Sequence, residues 1–458
     1  MTMRLTDNSH YRLTDFRPLQ CLANRPLADI VNDRDCPVLI YPHSFKECKD
    51  SIACQHLFDL RLNWQGTHCK SAELDTGNLV GFIGIGNLSV TINSRFANSP
   101  ENDYFFHYLL RKVFNFNLFD LPHASSEESV FDFLLYLFPK FLNDALRQGL
   151  YKEYRTHTHN DSNIRGAVDI NRHCRLNIPF NGRMAYRTRE FSHDNRVTRL
   201  IRHTIEYIRT QKGGSFLLEN DAETRASVSK IITATSPFVK TERDKILRDN
   251  IKPITHPYYT AYRPLQNLCL RILRHEKIKY GDDGDRIYGI LFDVSYLWEE
   301  YLATLLTPKG FHHPDNRQNL GSVYLGKGKK YPRFPDFYDR DSHGTVIDAK
   351  YKRKIDTRND VNQMLTYMYR LKARNGIFIH PDTAPSEAVA HSLNGHGLDL
   401  NATLHTYSFH IPQQAPDFKT FSILINESET DLLQYIKRHQ SSPHTDKMNN
   451  HGIKSETF

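Results

Sequence analysis

Two aspartates and a lysine stand close together in the second half of the chain. Asp336 follows Pro335, and one residue separates Asp348 from Lys350. Side chains alternate across a β-strand, so a strand at residues 345–351 would project Asp348 and Lys350 from the same face. A hairpin turn before this strand would bring Asp336 to the same place. The pattern therefore predicts two carboxylates and one ammonium group at a single site.

Converging carboxylates of this kind bind Mg²⁺, which prefers hard oxygen ligands and keeps several waters, and Mn²⁺ could substitute. Phosphodiester hydrolysis needs a nucleophilic water, stabilisation of charge on the phosphoryl oxygens and help for the leaving alkoxide. A metal held by Asp336 and Asp348, with the Ala349 carbonyl as a further ligand, would serve the first two needs. Lys350 would orient or deprotonate the water, or stabilise the developing anion. The alternative is a surface ion pair of Asp348 with Lys350, worth about 0–1 kcal/mol.

The surrounding sequence predicts the elements that would position this site. The spacing of apolar residues favours helices at residues 291–306 and 360–373, and Gly376 is expected to end the second. Turn residues at 340–344 separate predicted strands at 335–339 and 345–351, and another strand is predicted at 377–379. This succession predicts an α/β domain with a mixed sheet flanked by helices.

The hairpin residues resemble a known motif. Pro335-Asp336 and Asp348-Ala349-Lys350 are similar to the two parts of the PD-(D/E)xK nuclease motif. The resemblance implies that Asp336, Asp348 and Lys350 are catalytic and that both aspartates bind the metal.

Three residues on the predicted helices extend this resemblance. Gln363 and Tyr367 stand four residues apart, away from the apolar face of their helix, and are similar to the QxxxY element of RecB-type nucleases. Glu299, on the earlier helix, occupies the place where the superfamily often has an additional metal-linked acid. The resemblance implies catalytic roles for all three and a metal contact for Glu299. The alternative is that they are ordinary solvated helix residues.

A wider resemblance covers most of the chain. Residues 164–169, 297–301, 346–352 and 363–367 are similar to the McrC family, which supplies the nuclease subunit of McrBC modification-dependent restriction systems. The resemblance implies that the N-terminal part docks on McrB, a hexameric AAA+ GTPase, and stimulates it. It also implies that the C-terminal domain cuts double-stranded DNA and that GTP is used only through the partner subunit.

One segment approaches a nucleotide-binding motif without matching it. Residues 321–328 have the GxxxxGK frame of a Walker A loop, but Gly328 stands where Ser or Thr should bind Mg²⁺. A lysine-rich turn and strands are predicted to follow, where a phosphate-binding loop requires a helix. We therefore expect no nucleotide-binding residues in this chain.

Positive charge is concentrated in the middle of the chain. The formal net charge of the whole protein is +8, and residues 152–212 hold thirteen Lys and Arg against six Asp and Glu. Such a concentration is typical of a surface that binds a polyanion, and Arg165, Arg172 and Arg175 are the candidate DNA contacts. The alternative is a solvated basic face. A helix is predicted at residues 196–211, capped by Ser192 or Asp194.

The pattern as a whole predicts an α+β multidomain protein of 458 residues. We expect a β-rich N-terminal domain at 1–115 for partner docking, with a hairpin turning at Gly86-Asn87, and a mainly helical basic segment at 116–285 for DNA and partner contacts. The PD-(D/E)xK domain, an α/β domain with a mixed central sheet, is expected at 286–440, and a disordered tail at 441–458.

Compartment and cysteine usage give further expectations. The first thirteen residues lack a secretory pattern and the longest apolar stretch, 130–142, is too short to span a membrane. Seven cysteines without a CxxC pair fit a reducing compartment, so a cytoplasmic protein is expected. A zinc site is conceivable in the N-terminal region, although buried thiols explain the same residues, which are Cys21, Cys36, Cys48, Cys54 and Cys69.

Three functions from different classes remain open at this stage. The chain is a nuclease subunit that requires a GTPase partner, a self-sufficient nuclease for restriction or repair, or a DNA-binding or GTPase-activating scaffold without cleavage. The presence of Asp336, Asp348 and Lys350 disfavours the scaffold. Cleavage by the purified chain alone would separate the first two.

Overall fold

The computed structural model describes residues 2–14, 16–32, 38–42, 55–65, 68–85, 88–114, 127–211, 214–219, 221–278, 287–314, 316, 321–340, 344–393 and 402–440. Contacts divide the chain into two compact units, Met1–Asp120 with Asp285–Phe458, and Leu121–Gly284. The predicted tail at 441–458, the predicted turn at Gly86-Asn87 and three of the N-terminal cysteines (Cys36, Cys48 and Cys54) lie outside the described residues.

The described residues in the N-terminal part of the first unit form strands and two α-helices. They are β1 (Thr2–Thr6), β2 (His10–Leu13), α1 (Leu27–Asn32), β3 (Val38–Tyr41), β4 (Phe58–Gln65), β5 (His68–Thr76), β6 (Leu79–Ile85), β7 (Leu88–Asn93) and α2 (Tyr104–Phe114). The predicted hairpin is present, because β6 and β7 pair antiparallel with Ile83 opposite Val90. These strands are rich in β-branched residues that bury one face against the core.

The second unit contains helices and a small antiparallel sheet. Its elements are α3 (Glu127–Arg147), β8 (Glu153–Asp161), β9 (Ala167–Val168), α4 (Ile170–Leu176), β10 (Met184–Ser192), α5 (Arg196–Arg209), α6 (Gly214–Glu219), α7 (Ala222–Ala234), α8 (Arg243–Asp249) and α9 (Tyr262–Ile278). Helix α5 has the predicted apolar face, but its cap is Asn195, not Ser192 or Asp194, because the Asn195 side chain accepts hydrogen bonds from the amides of Val197 and Thr198.

The C-terminal part of the first unit follows the predicted order of elements. It contains β11 (Ile287–Asp293), α10 (Val294–Leu306), β12 (Phe311–His312), β13 (Val323–Gly326), β14 (Lys330–Arg333), β15 (Phe337–Asp339), β16 (Thr345–Ala349), α11 (Asn359–Leu371), β17 (Asn375–Asp382), β18 (Glu387–Ser392), β19 (Thr403–His410) and α12 (Phe418–His439). Six of these strands form a sheet in the order β12-β15-β16-β17-β19-β18. Its centre is parallel and its edges are antiparallel, so the sheet is mixed as predicted.

Several boundaries differ from the prediction. The predicted helix 291–306 begins at Val294, because residues 291–293 belong to β11, which pairs with β6 and β3 in the N-terminal sheet. Helix α11 ends at Leu371 and is capped by Lys372, whose backbone is left-handed. Gly376, the predicted end of this helix, lies in β17. A Cβ atom there would approach the Met368 sulfur within 2.6 Å, so glycine allows α11 to pack closely on the sheet.

Two negative findings apply to the described residues alone. No helix in this part of the chain is both long enough and apolar enough to cross a membrane. No group of three or more His, Cys, Asp or Glu side chains is arranged to hold a metal ion in the same residues. The free thiols found there belong to Cys21, Cys174 and Cys269.

Candidate active site

The predicted aspartates meet where β15 and β16 run antiparallel. Phe337 pairs with Ile347, so one residue further along the same register Asp336 lies opposite Asp348. The Asp336 carboxylate accepts a hydrogen bond of 2.8 Å from the amide of Ala349. Asp348 is fully buried. The hairpin therefore brings the two carboxylates together, as the sequence pattern predicted.

Lys350 follows directly after β16 and completes this group. Its ammonium nitrogen lies 2.6 Å from Oδ2 of Asp348 and donates to Oε1 of Gln363 at 3.1 Å. A third acid, Asp360 at the start of α11, lies 3.9 Å from the same nitrogen. The sequence analysis missed Asp360, because an acid in the first turn of a helix is common for electrostatic reasons alone.

Gln363 and Tyr367 connect Lys350 to the segment before Asp336. The Gln363 amide donates to the Tyr367 hydroxyl at 2.5 Å, and this hydroxyl donates to the Phe334 carbonyl at 2.9 Å. Tyr367 is buried against the sheet together with Met364 and Met368. Gln363 and Tyr367 are therefore not ordinary solvated helix residues. Both belong to one chain of hydrogen bonds that ends at Lys350.

Glu299 reaches the site from α10. It is largely shielded from solvent and lies 3.9 Å from Nδ1 of His313, and this nitrogen is 3.0 Å from the carbonyl oxygen of Asp336. The neighbouring Glu300 lies 3.7 Å from the other His313 nitrogen. Sequence reasoning missed His313, which carries no motif and could be suggested only by its place between the Glu299 helix and the Asp336 strand.

The electrostatics of the site show an excess of negative charge. Burial raises the pKa of Asp336 well above its usual value, and the nearby carboxylates of Glu299 and Asp348 raise it further. Burial would lower the pKa of Lys350, but Asp348 and Asp336 outweigh it and raise this pKa. Lys350 is therefore held as an ammonium ion that serves several carboxylates at once.

This excess charge fits a divalent cation. Oδ2 of Asp348 is buried and makes no hydrogen bond of good geometry, so its neighbour Lys350 satisfies it by charge alone. Asp336 and Asp348 together offer the one or two carboxylates that Mg²⁺ needs alongside its waters. Glu299 is close enough to affect Asp336 electrostatically. The donor set therefore suits Mg²⁺ better than a soft metal.

The predicted DNA contacts lie in the second unit. Arg165 and Arg175 are exposed, and Arg172 is partly exposed on the short helix α4, none of whose residues is buried. Other arginines of this segment are occupied by acids, since Arg155 and Arg199 both pair with Asp194, at 2.7 Å and 2.6 Å. The formal charge of the segment therefore overstates the positive charge that is available to a ligand.

The segment that approaches a Walker A motif forms a β-hairpin. Strands β13 and β14 pair antiparallel, with Val323 opposite Arg333, and residues 327–329 form the turn. The predicted lysine-rich turn and strands are present. A phosphate-binding loop requires a helix after the Gly-Lys pair, and here that place is taken by β14.

Comparisons with known proteins show a family and several solved structures that the chain resembles. A family model described as "McrBC 5-methylcytosine restriction system component" matches residues 74–381. A refined half-complex from a tetradecameric assembly of Thermococcus gammatolerans McrB AAA+ hexamers with bound McrC has 14% identity and a TM-score of 0.40, covering 93% of this chain and 100% of that chain. A cryo-EM structure of the Thermococcus gammatolerans McrBC complex has 14% identity and a TM-score of 0.30, covering 67% and 87%. No curated protein matches the sequence.

Proposed function

Because the chain belongs to the family of McrBC 5-methylcytosine restriction system components, we propose that it is the DNA-cleaving subunit of such a system. The family match confirms the resemblance predicted from the sequence. The observation that carries the proposed activity is the meeting of Asp336, Asp348 and Lys350 at one end of a mixed sheet. This is the arrangement that the PD-(D/E)xK resemblance implies, with Gln363 and Tyr367 in support.

The site residues divide the proposed chemistry between charge and position. Lys350, held as an ammonium ion by Asp348 and Gln363, is suited to stabilise negative charge on the phosphoryl group. Its raised pKa makes it a poor base. Of the roles open at the start, orientation of the water and stabilisation of the anion are therefore the better supported. Tyr367 fixes the Gln363 amide, and through it the ammonium group.

Mg²⁺ is the proposed cofactor, with Mn²⁺ as a substitute. Asp336 and Asp348 would hold it, and Glu299 would contact it through its place beside Asp336. When bound, the ion supplies positive charge that polarises the phosphoryl oxygen and the attacking water. Burial of Asp348 excludes bulk solvent on the protein side, which strengthens each of these electrostatic interactions.

The proposed partners are double-stranded DNA and an McrB-like AAA+ GTPase hexamer, whose hydrolysis this chain would stimulate. The hairpin at residues 323–333 offers no phosphate-binding loop, so GTP would be used by the partner. Support for a protein partner comes from the second unit, where large apolar side chains are exposed around α4: Ile170, Leu176, Ile178 and Phe180. Exposed apolar patches of this kind typically mark interaction sites. Arg165, Arg172 and Arg175 are proposed DNA contacts in the same unit.

Plasmid cleavage tests the proposed function. The full chain is assayed on methylated plasmid with Mg²⁺, with and without the co-expressed GTPase, and beside the Asp348→Ala variant. We expect cleavage only with Mg²⁺, GTP and partner, and none from the variant. Cleavage by the chain alone would favour a self-sufficient nuclease. Near-normal cleavage by Asp348→Ala would refute the active-site assignment.

GTP turnover tests the division of labour between the two subunits. The partner's hydrolysis is measured alone, with wild-type chain and with Asp348→Ala. A group supplied in trans can accelerate hydrolysis by about 10³–10⁵-fold, and we expect both forms to stimulate equally because Asp348 is buried inside the nuclease sheet. Stimulation without any DNA cleavage by the wild type would favour a scaffold. Absence of stimulation by either form would count against the GTPase-activating role.

A further inference from the structure

We propose that the hairpin of β13 and β14, with its turn, binds the phosphate backbone of duplex DNA beside the scissile bond. We call residues 321–333 the lysine hairpin. The inference rests on the proposed nuclease function and names a DNA contact that neither the motif nor the family match assigns. Its basis is the charge of the hairpin, its attachment to the active site and its reach.

The charge of the lysine hairpin is entirely positive. Its thirteen residues contain four cations, Lys327, Lys329, Lys330 and Arg333, and no Asp or Glu. The three lysines are exposed, and within the described part of the chain none of the four forms an ion pair with an acid. The exposed ring of Tyr331 lies among them. Basic side chains interleaved with an aromatic ring are typical of nucleic-acid surfaces.

The base of the lysine hairpin is fixed to the active site. Arg333 is followed by Phe334, whose carbonyl accepts from Tyr367, and Asp336 comes two residues later. On the other strand, the Tyr324 carbonyl accepts a 2.6 Å hydrogen bond from Nε of Arg370 on α11. Both strands are therefore attached to the helix that carries Gln363.

The reach of the lysine hairpin matches the neighbourhood of a bound scissile phosphate. Lys330 stands six positions before Asp336, and strand residues rise about 3.3 Å each, so the Cα atom of Lys330 lies at most roughly 20 Å from that of Asp336. This is about half a turn of duplex DNA. Gly328 has a left-handed backbone with φ of 69° and no atom near a Cβ position, which lets the turn present its lysines outward.

The lysine hairpin differs from the basic segment of the second unit in the availability of its charge. There, arginines such as Arg187 lie within 2.5 Å of an acid, Asp169. An ion-paired arginine releases few counterions on binding DNA, whereas an unpaired lysine releases one for each phosphate that it neutralises. The hairpin is therefore the better candidate for DNA contact next to the cleavage site.

The test compares salt dependence in two triple variants of the full chain. The hairpin variant is Lys327→Ala with Lys329→Ala and Lys330→Ala. The control removes three exposed charges from α12 and is Lys419→Ala with Lys437→Ala and Arg438→Ala. Affinity for a 30-base-pair duplex is measured by fluorescence anisotropy without divalent metal from about 50 to 200 mM salt.

The expected result is a smaller log–log salt slope for the hairpin variant alone. Each lost phosphate contact should reduce the slope by about 0.9, so up to about 2.7 for three contacts. Mg²⁺-dependent cleavage with the partner should slow in parallel, whereas the control should match the wild type. Lys329→Glu provides a single substitution with the same expected direction, in case the triple variant fails to fold.

Three outcomes would overturn the inference. A hairpin variant with the wild-type slope refutes it and leaves the nuclease proposal intact, provided that the wild type binds and cleaves DNA. Slower cleavage with an unchanged slope also refutes it, because the hairpin would then act without contacting phosphates. A wild-type chain that neither binds nor cleaves DNA with its partner refutes both proposals.

Discussion

Replacement of Asp336 by Asn should abolish cleavage and make the metal-free protein more stable. The carboxylates of Glu299 and Asp348 act on Asp336, and Asp336 and Asp348 share the ammonium group of Lys350. Burial and these carboxylates raise the pKa of Asp336 because they disfavour its ionised form, and Asn, which cannot ionise, avoids this cost. The Asn side-chain oxygen can still accept the 2.8 Å hydrogen bond from the Ala349 amide. The substitution therefore costs little in packing.

The expected gain in the stability of Asp336→Asn follows from this group of buried carboxylates. Relief of a destabilised active site is typically worth about 0.5–2 kcal/mol of unfolding free energy. In a domain of roughly 150–250 residues, 1 kcal/mol shifts Tm by about 2–4 °C. We therefore expect Asp336→Asn to unfold about 1–8 °C above the wild type in EDTA, as followed by calorimetry or circular dichroism.

Addition of Mg²⁺ should make the wild type more stable than Asp336→Asn. A ligand that binds only the folded state at 100 times its Kd stabilises it by about 2.7 kcal/mol. The wild type should gain this stability, whereas Asp336→Asn has lost a proposed ligand and should gain little. Glu427→Gln, an exposed carboxylate on α12, is the matched control and should respond as the wild type does. A variant less stable than the wild type in EDTA, or a wild type indifferent to Mg²⁺, would refute the reasoning.

Three further substitutions examine the residues around this centre. Glu299→Gln should reduce cleavage by about 10–100-fold, as for loss of a supporting metal contact. The control is Glu300→Gln, which should cleave at nearly the wild-type rate because Glu300 faces the other nitrogen of His313. Equal losses in the two variants would contradict a special role for Glu299. Tyr367→Phe removes the hydroxyl that links Gln363 to the Phe334 carbonyl. The free energy of unfolding should therefore fall by about 1 kcal/mol, and single-turnover cleavage should slow. An unchanged cleavage rate would show that this link is dispensable. Gly376→Ala should lower the free energy of unfolding in denaturant by about 1–3 kcal/mol, because the new Cβ would crowd Met364 and Met368 of α11. An unchanged stability would mean that these methionines repack.

The sequence predicted the local part of the site because its signal is local. Alternation along one strand is sufficient to place Asp348 and Lys350 together, and a four-residue spacing on one helix places Gln363 beside Tyr367. The antiparallel pairing of β15 with β16 then brings Asp336 opposite Asp348. Each of these inferences needs only the periodicity of a single element or the return of a hairpin.

The parts that sequence reasoning missed depend on distant pairing. Residues 291–293 read as the start of an amphipathic helix, but they complete β11, whose partners β6 and β3 lie about 200 residues or more earlier in the chain. His313 reaches the site only because β12 pairs with β15. The net charge of residues 152–212 did not show which arginines would pair with acids such as Asp194. None of these facts has a signature within a short window of sequence.

Residues next to the N-terminal strands also support the segment that carries Lys350. Arg95, which follows β7, forms a buried ion pair of 2.8 Å with Asp7, and its guanidinium lies 4.7 Å from the centre of the Tyr351 ring. Tyr351 is the residue after Lys350 and is itself buried. Removing one partner of a buried ion pair leaves an uncompensated charge that costs about 3–5 kcal/mol, so the pair with Asp7 keeps the Arg95 guanidinium in place against the Tyr351 ring. Residues near the N-terminus therefore help to fix the backbone on which Lys350 stands.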